Sequence, residues 1–366
     1  MAKLKILVVS KDMGASEMSM PLAELAADNG HEVSLVIEGL AAENYDRLNA
    51  WRAEKDEAFL PVLFRGTVDF RDFPFTLDAE TLVKKVNPDI VIVTMSSPIN
   101  LEDQIGKAAN TFGIPVVALN DFWGGLTRAK TAKADLMLGI DETDLAAAHR
   151  HFSHNYISAV VGNHAVSKAR RIKPSPEILY KMLDLKHRFE TIILFAGGGP
   201  EYTGAEIKLL VGCLQKTPGS WVVIKRYHGK HANRTAPNVN TTWREVWDSQ
   251  FAPLGDRIIE LPTPEGDAVA TLSDCTVSGF STMMTTAVAS YKRAIALVTP
   301  ETRKSLKAQT TLGRYPLAMT GLVPEIVVPT NLAPFLLEMP DKKTVDYWLK
   351  PYDPALALRE IEKLFG

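Results

Sequence analysis

The run Asn120-Asp121-Phe122-Trp123-Gly124-Gly125 places an amide, a carboxylate, two aromatic rings and two glycines side by side. A carboxylate accepts from sugar hydroxyls while a neighbouring ring covers C–H groups, so this composition suits carbohydrate recognition. Asp121 is therefore the first candidate for a general base, with capping of the following helix as its alternative role. Two other stretches suit an anion. Gly197-Gly198-Gly199-Pro200 follows the apolar run Thr191 to Ala196 and precedes a helical pattern, so a diphosphate can approach the backbone at a helix start. Ser278-Gly279-Phe280-Ser281-Thr282 stands in the same context, and its hydroxyls either cap the helix or leave the N–H groups to an anion. Lys225-Arg226-Tyr227-His228 brings cations and an imidazole to a strand end, where they meet an anionic ligand or simply face solvent. His228 joins Asp121 as a catalytic candidate. With His231 it lacks the further ligands a metal needs, and no metal is expected.

These residues need strands to deliver them. Leu4 to Ser10, a helical pattern over Ser16 to Asn29 and His31 to Ile37 form the strand, helix, strand opening of a doubly wound unit. Its loop carries Gly14 and Ser16 but no G-x-G-x-x-G, which argues against a dinucleotide fingerprint. A strand at Leu60 to Phe64 precedes Phe70, Phe73 and Phe75, which are expected to anchor a loop. Pro88 to Thr94 is a sharp strand signal ending at Ser96 and Ser97, either ligand-facing or capping residues. Further strands are expected at Ile114 to Leu119, Leu136 to Ile140 and Tyr156 to Val161. His164 follows in a loop at the domain junction, where it is either a cleft residue or, as a lone histidine in a loop is expected to be, solvated. From Ser167 to Arg188 a basic run reads as a solvated helix face. Beyond it the strand and helix alternation resumes, and Thr344 to Phe365 reads as helices.

The chain has 366 residues, 46 % hydrophobic and 23 % charged, enough for two ordinary domains with well-formed cores. Its net charge of -2 points to neither nucleic acid nor a membrane surface. Cys213 and Cys275 have no metal-ligand spacing and fit packing roles in a reducing compartment. With no apolar run long enough to cross a bilayer and no signal-peptide pattern, a cytoplasmic protein is expected.

The segment Leu272 to Pro300 resembles the donor-site segment of the GT-B superfamily, which includes nucleotide-sugar glycosyltransferases and UDP-N-acetylglucosamine 2-epimerases. Asp274, Gly279, Ser281, Thr282, Ala287 and Lys292 fall on that pattern without a gap. Three positions depart from it. Thr286 stands where the family's Glu holds the ribose hydroxyls, Tyr291 replaces a Gly and Arg293 a Pro. Val161-Gly162-Asn163 resembles the segment that ends the first domain, and Arg226 with His228 resembles a basic motif after the equivalent strand.

The resemblance implies an α/β protein of two Rossmann-like doubly wound domains facing across a cleft. Residues 1–165 would form an acceptor domain, 166–190 a linker, 191–340 a donor-binding domain, and 341–366 helices returning to the first domain. It implies a glycosyltransferase using a nucleotide-diphosphate sugar, a UDP-sugar, with an unknown acceptor and no metal. Gly197, Gly198, Gly199, Ser278, Gly279, Ser281 and Thr282 would seat the diphosphate, and Arg226 and His228 would balance its charge. Glu301 is one substitute for the missing ribose carboxylate. A 2-epimerase-like enzyme using Asp121, Asp141 or Glu142, or a binding protein without catalysis, remains as an alternative. No motif specifies the oligomeric state.

Overall fold

In the computed structural model, the strands of both sheets pair in parallel among the described residues, as uninterrupted apolar runs require when helices cover both faces of a sheet. The structure describes residues 3–53, 62–65, 78–96, 101–128, 133–153, 155–228, 232–237, 241–261, 263 and 265–366. Phe70, Phe73, Phe75, Ser97 and His231 lie outside the described residues.

The chain divides into two compact units, Met1–His164 with Lys350–Gly366, and Ala165–Leu349. In the first, β1 (Lys5–Ser10), β2 (Glu32–Ile37), β3 (Val62–Arg65), β4 (Ile90–Thr94), β5 (Val116–Leu119), β6 (Leu136–Gly139) and β7 (Ile157–Val160) form one sheet in the order β3-β2-β1-β4-β5-β6-β7. Helices α1 (Met13–Asp28), α2 (Leu40–Ala53), α3 (Ala79–Val86), α4 (Leu101–Thr111) and α5 (Glu142–His151) connect them. Two helices, α6 (His164–Ala169) and α7 (Pro176–Arg188), then lead into the second sheet. That sheet contains β8 (Thr191–Gly197), β9 (Trp221–Tyr227), β10 (Ile258–Glu260), β11 (Cys275–Ser278), β12 (Arg293–Leu297) and β13 (Glu325–Ile326), ordered β10-β9-β8-β11-β12-β13. Its helices include α8 (Pro200–Leu214), α9 (Trp243–Phe251), α10 (Gly266–Leu272), α11 (Thr282–Ala289) and α12 (Pro300–Thr310). Both units are Rossmann-like.

Strand β8 shows how the sequence builds these layers. Ile192 and Leu194 point to one face and pack with Ile178, Met182 and Leu185 of α7, whereas Ile193 and Phe195 point to the other and meet Ile207, Leu210, Trp247 and Phe251 of α8 and α9. Each such side chain contributes roughly 1.5–3 kcal/mol by leaving water. The segment 166–190, expected as a linker, therefore folds into the second unit: α7 buries an apolar stripe and turns the pairs Glu177–Lys181 and Asp184–Arg188 outward. Of the tail, Lys350–Gly366 belongs to the first unit, where helix Pro354–Glu362 packs on α1, whereas helix Lys342–Trp348 stays with the second.

An aspartate at the start of a strand pins its neighbour three times over. Asp89 accepts from Lys5 N–H at 2.7 Å and joins β4 to β1, Asp135 accepts from Val116 N–H at 2.8 Å and joins β6 to β5, and Asp274 accepts from Ile192 N–H at 2.8 Å and joins β11 to β8. Asp274, matched to the GT-B pattern, thus has a register role at the end of the sheet opposite its ligand-type turns.

Val161-Gly162-Asn163 is where the returning tail docks. Asn163 N–H donates to the Lys350 carbonyl at 2.9 Å, Asp353 N–H to the Val161 carbonyl at 2.8 Å, and Gly162, at φ +88°, would drive a Cβ to 2.1 Å from the Pro351 carbonyl oxygen. Tyr291 keeps the left-handed conformation (φ 58°) proper to the glycine it replaces, and its hydroxyl donates to Asp346 at 3.0 Å.

Candidate functional site

In each sheet the strand order reverses between two central neighbours, β1 and β4 in the first and β8 and β11 in the second. The carboxyl ends of such strands are where open α/β sheets receive ligands. The glycine turns chosen from sequence follow β8 and β11, so both stand at that place in the second unit.

In the first unit, Asp121 follows β5 and reaches the turn after β1. A Cβ on Gly14, near the start of α1, would lie 2.3 Å from Asp121 Oδ2 and 3.6 Å from His164 Cε1, so only glycine admits the carboxylate here. His164, expected in solvent, is buried, with its Nε2 at 3.3 Å from Glu17 Oε2 on α1. Asp121, His164 and Glu17 therefore gather around one helix start. The loop that carries Asp121 is held by Asp144, which accepts from Asn120 Nδ2 at 2.6 Å, Gly124 N–H at 2.9 Å and Ile140 N–H at 3.3 Å. Burial pushes the Asp144 carboxyl up to about 7 against those hydrogen bonds. Asp141 caps α5 by accepting from Asp144 N–H, and it also takes the Trp123 indole N–H. Burial raises its pKa as well. Trp123 is almost wholly buried, so it braces the loop.

Ser96, offered as a ligand-facing residue, is fully buried. It accepts from Asp12 N–H at 3.2 Å and donates to Glu102 of α4. Burial carries Glu102 to about 7, and its second oxygen has no hydrogen-bond partner among the described residues. Ser16 donates to the Met13 carbonyl at 2.8 Å and accepts from Asn44 at 2.9 Å, a local structural role.

In the second unit, α8, α11 and α12 all begin at the carboxyl ends of adjacent strands β8, β11 and β12, so three helix N-termini gather on one edge. Each carries partial positive charge, and Thr299 caps α12 by accepting from Thr302 N–H at 3.1 Å. Gly197 ends β8, and its carbonyl accepts from His228 N–H at 3.0 Å. Gly198 N–H donates to Thr203 Oγ1 at 3.0 Å, and the Tyr202 hydroxyl covers its α-carbon; the Glu201 carboxylate covers Gly199 in the same way. Glu206 of α8 reaches Gly279, where its Oε1 would lie 1.8 Å from a Cβ, and it accepts from Thr302 Oγ1 at 3.1 Å. Ser278 is buried and donates to the Ala196 carbonyl at 2.7 Å, tying the two turns together. Ser281 caps α11 by accepting from Met283 N–H at 3.2 Å, and Thr282 is exposed beside it. Tyr202 and Phe280 stack at 5.0 Å and form an aromatic bridge over the two turns.

Arg226, next to last in β9, is half-buried, donates to the Thr263 carbonyl at 2.6 Å and lies against Gly266 at the start of α10. Burial lowers its pKa while nearby Asp267 opposes the change. Lys225 is held by Asp248 at 2.7 Å, and His228 is exposed at the same strand end. Glu301 is exposed in the first turn of α12. The carboxylate that does meet Thr286 is Asp267, whose Oδ1 accepts from Thr286 Oγ1 at 3.3 Å while Oδ2 pairs with Lys168 at 2.7 Å. Sequence reasoning missed Asp267, Glu102, Asp144 and Glu206. No helix among the described residues is long and apolar enough to cross a membrane.

No family model matches the sequence, and no curated protein matches it. Solved structures do. MnaA of S. aureus with UDP superposes with a TM-score of 0.62 at 14 % identity over 96 % of this chain and 92 % of that one. The UDP-GlcNAc 2-epimerase of Methanocaldococcus jannaschii, in complex with UDP-GlcNAc and UDP, gives 0.61 at 11 % identity over 99 % and 100 %. A glycosyltransferase from Rickettsia africae ESF-5 gives 0.53 at 14 % identity over 81 % and 80 %. The likeness is one of fold: this chain is GT-B-like, at a sequence far from the known examples.

Proposed function

We propose that the chain is an enzyme acting on a nucleotide-diphosphate sugar, most simply a UDP-sugar, and that it transfers the sugar to an acceptor hydroxyl. The observation that carries this reading is the gathering of the N-termini of α8, α11 and α12 on one sheet edge. Aligned helix dipoles and backbone donors stabilise a diphosphate both bound and as it leaves, with no metal in the step. Because the Gly198 amide is engaged within the protein and the Glu206 carboxyl stands against Gly279, the starts of α11 and α12 would take the phosphates, and the Tyr202–Phe280 pair would flank them. Arg226 and His228 supply cationic character at the neighbouring strand end. Asp267 takes the ribose role that the family resemblance gives to a glutamate, since it reaches Thr286 from a different helix. Asp121 acts as the base toward the acceptor hydroxyl, with the Glu17–His164 pair beside it.

A 2-epimerase-like activity is the second reading. It is favoured by the Asp121 and His164 grouping, which offers an acid and a base on one unit. One experiment separates the two. The protein is incubated with UDP-, GDP-, CDP- and ADP-sugars, alone and with simple sugar acceptors, and followed by proton NMR. Nucleotide release that needs an acceptor supports transfer, and inversion at sugar C2 without an acceptor supports epimerisation. The absence of both calorimetric binding and turnover across the whole set would overturn both readings.

A further inference from the structure

Glu206 sits on α8 with its side chain fully buried. Its Oε1 accepts from Thr302 Oγ1 in the first turn of α12 at 3.1 Å and stands against Gly279 in the turn before α11, 1.8 Å from where a Cβ on that glycine would lie. Its Oε2 is buried with no hydrogen-bond partner among the described residues. An ionised carboxylate in this position is an internal anion, engaging the Thr302 hydroxyl at the start of α12 and pressed against Gly279 just before α11, the two helix starts that a phosphate would use.

Among the described residues, none of the groups that act on it is a cation. On its own helix, the Glu201 carboxylate acts on it and disfavours its ionised form. The β11–α11 turn contributes hydroxyls, a phenyl ring and amides, and α12 presents the Thr302 hydroxyl while Glu301 and Arg303 are exposed. From α9, Trp247 and Phe251 fill the core against α8. Burial raises the Glu206 carboxyl to about 8, so it is neutral at pH 7.

We propose that Glu206 makes anion binding on this edge proton-linked: the neutral side chain leaves the starts of α11 and α12 to a diphosphate, and its ionisation expels that ligand. The inference rests on the reading of this edge as a nucleoside-diphosphate site and adds its regulation. Two negative groups sharing the same helix starts exclude one another, so the bound state keeps a proton that the free protein loses at alkaline pH.

UDP is the probe, because its terminal phosphate is itself ionised above about pH 7 and adds little slope there. Its affinity is measured by calorimetry from pH 6.5 to 9.5, and at pH 8.5 in buffers of different ionisation enthalpy. The wild-type chain should lose affinity above about pH 8, approaching tenfold per pH unit, and binding at pH 8.5 should take up most of one proton. The Glu206→Gln variant, which keeps the shape without the charge, should bind with a flat profile. UDP binding without proton uptake in the wild-type chain refutes the linkage and leaves the site reading standing, as do parallel profiles in a folded Glu206→Gln variant. Absence of UDP binding at every pH refutes the site reading and the linkage together. The buffer series uses the wild-type chain alone, so it decides the matter even if the variant fails to fold.

Discussion

Gly14→Ala isolates the placement of Asp121 from its chemistry. A Cβ at this position would lie 2.3 Å from Asp121 Oδ2, whereas ordinary contact begins at 3.4 Å. The atom in the way is the far end of a short side chain, so the carboxylate rather than the helix should give way, by about 1 Å. A shift of that size at a reacting group lowers turnover on the order of 100-fold. The backbone effect has the opposite sign, since alanine within a helix is favoured over glycine by up to about 1 kcal/mol. The variant should therefore match or slightly exceed the parent in urea denaturation while its turnover of the UDP-sugar falls about a hundredfold, with UDP affinity unchanged. Asp121→Asn is the reference, expected to remove turnover and spare UDP binding. Wild-type turnover in Gly14→Ala, in a protein whose structure shows Asp121 displaced, would refute the assignment of Asp121 as the base.

Two further outcomes concern the buried carboxyls. Glu102 holds its proton to about pH 7 in the folded chain against an ordinary 4.5, so its contribution is full below about 4.5 and is lost as pH rises through 7. That rise corresponds to about 3 kcal/mol, and Glu102→Gln should remove it from the difference between urea unfolding at pH 5 and pH 8. An unaltered difference would show that Glu102 does not titrate as its burial implies. Asp144→Ala leaves the donors of Asn120, Gly124 and Ile140 without their acceptor and should cost about 2–4 kcal/mol. A loss under 1 kcal/mol would mean that the loop is held by other contacts.

The strands were legible because parallel strands covered on both faces are written as uninterrupted apolar runs, Leu4 to Ser10 and Thr191 to Ala196 being examples. The turns after β8 and β11 were legible as places, since glycine and hydroxyl residues between strand and helix mark the carboxyl edge. What fills them was not. Tyr202, Glu201 and Glu206 lie on the helix after the first glycine turn, and only the fold brings Glu206 to Gly279. A signal existed nonetheless: Thr203, Glu206, Leu210 and Cys213 share one buried face of α8, as Glu102, Ile105 and Ala109 do on α4. A glutamate within the apolar stripe of an amphipathic helix indicates a carboxyl taken out of water. The contact between Asp121 and Gly14, like the meeting of Asp267 with Thr286, joins separate elements and has no local sequence mark. His164 was misplaced for the same reason, because the partner that buries it comes from α1.

The aspartates that open β4, β6 and β11 grip adjacent strands at the end of each sheet remote from the glycine turns. Alignment of the strands is thereby settled by a few polar bonds that owe nothing to what the opposite ends hold. Loops at those opposite ends are then at liberty to exchange one chemistry for another while the framework beneath them stays in step, which is how so distant a sequence can retain the architecture of the nucleotide-bound structures it superposes on.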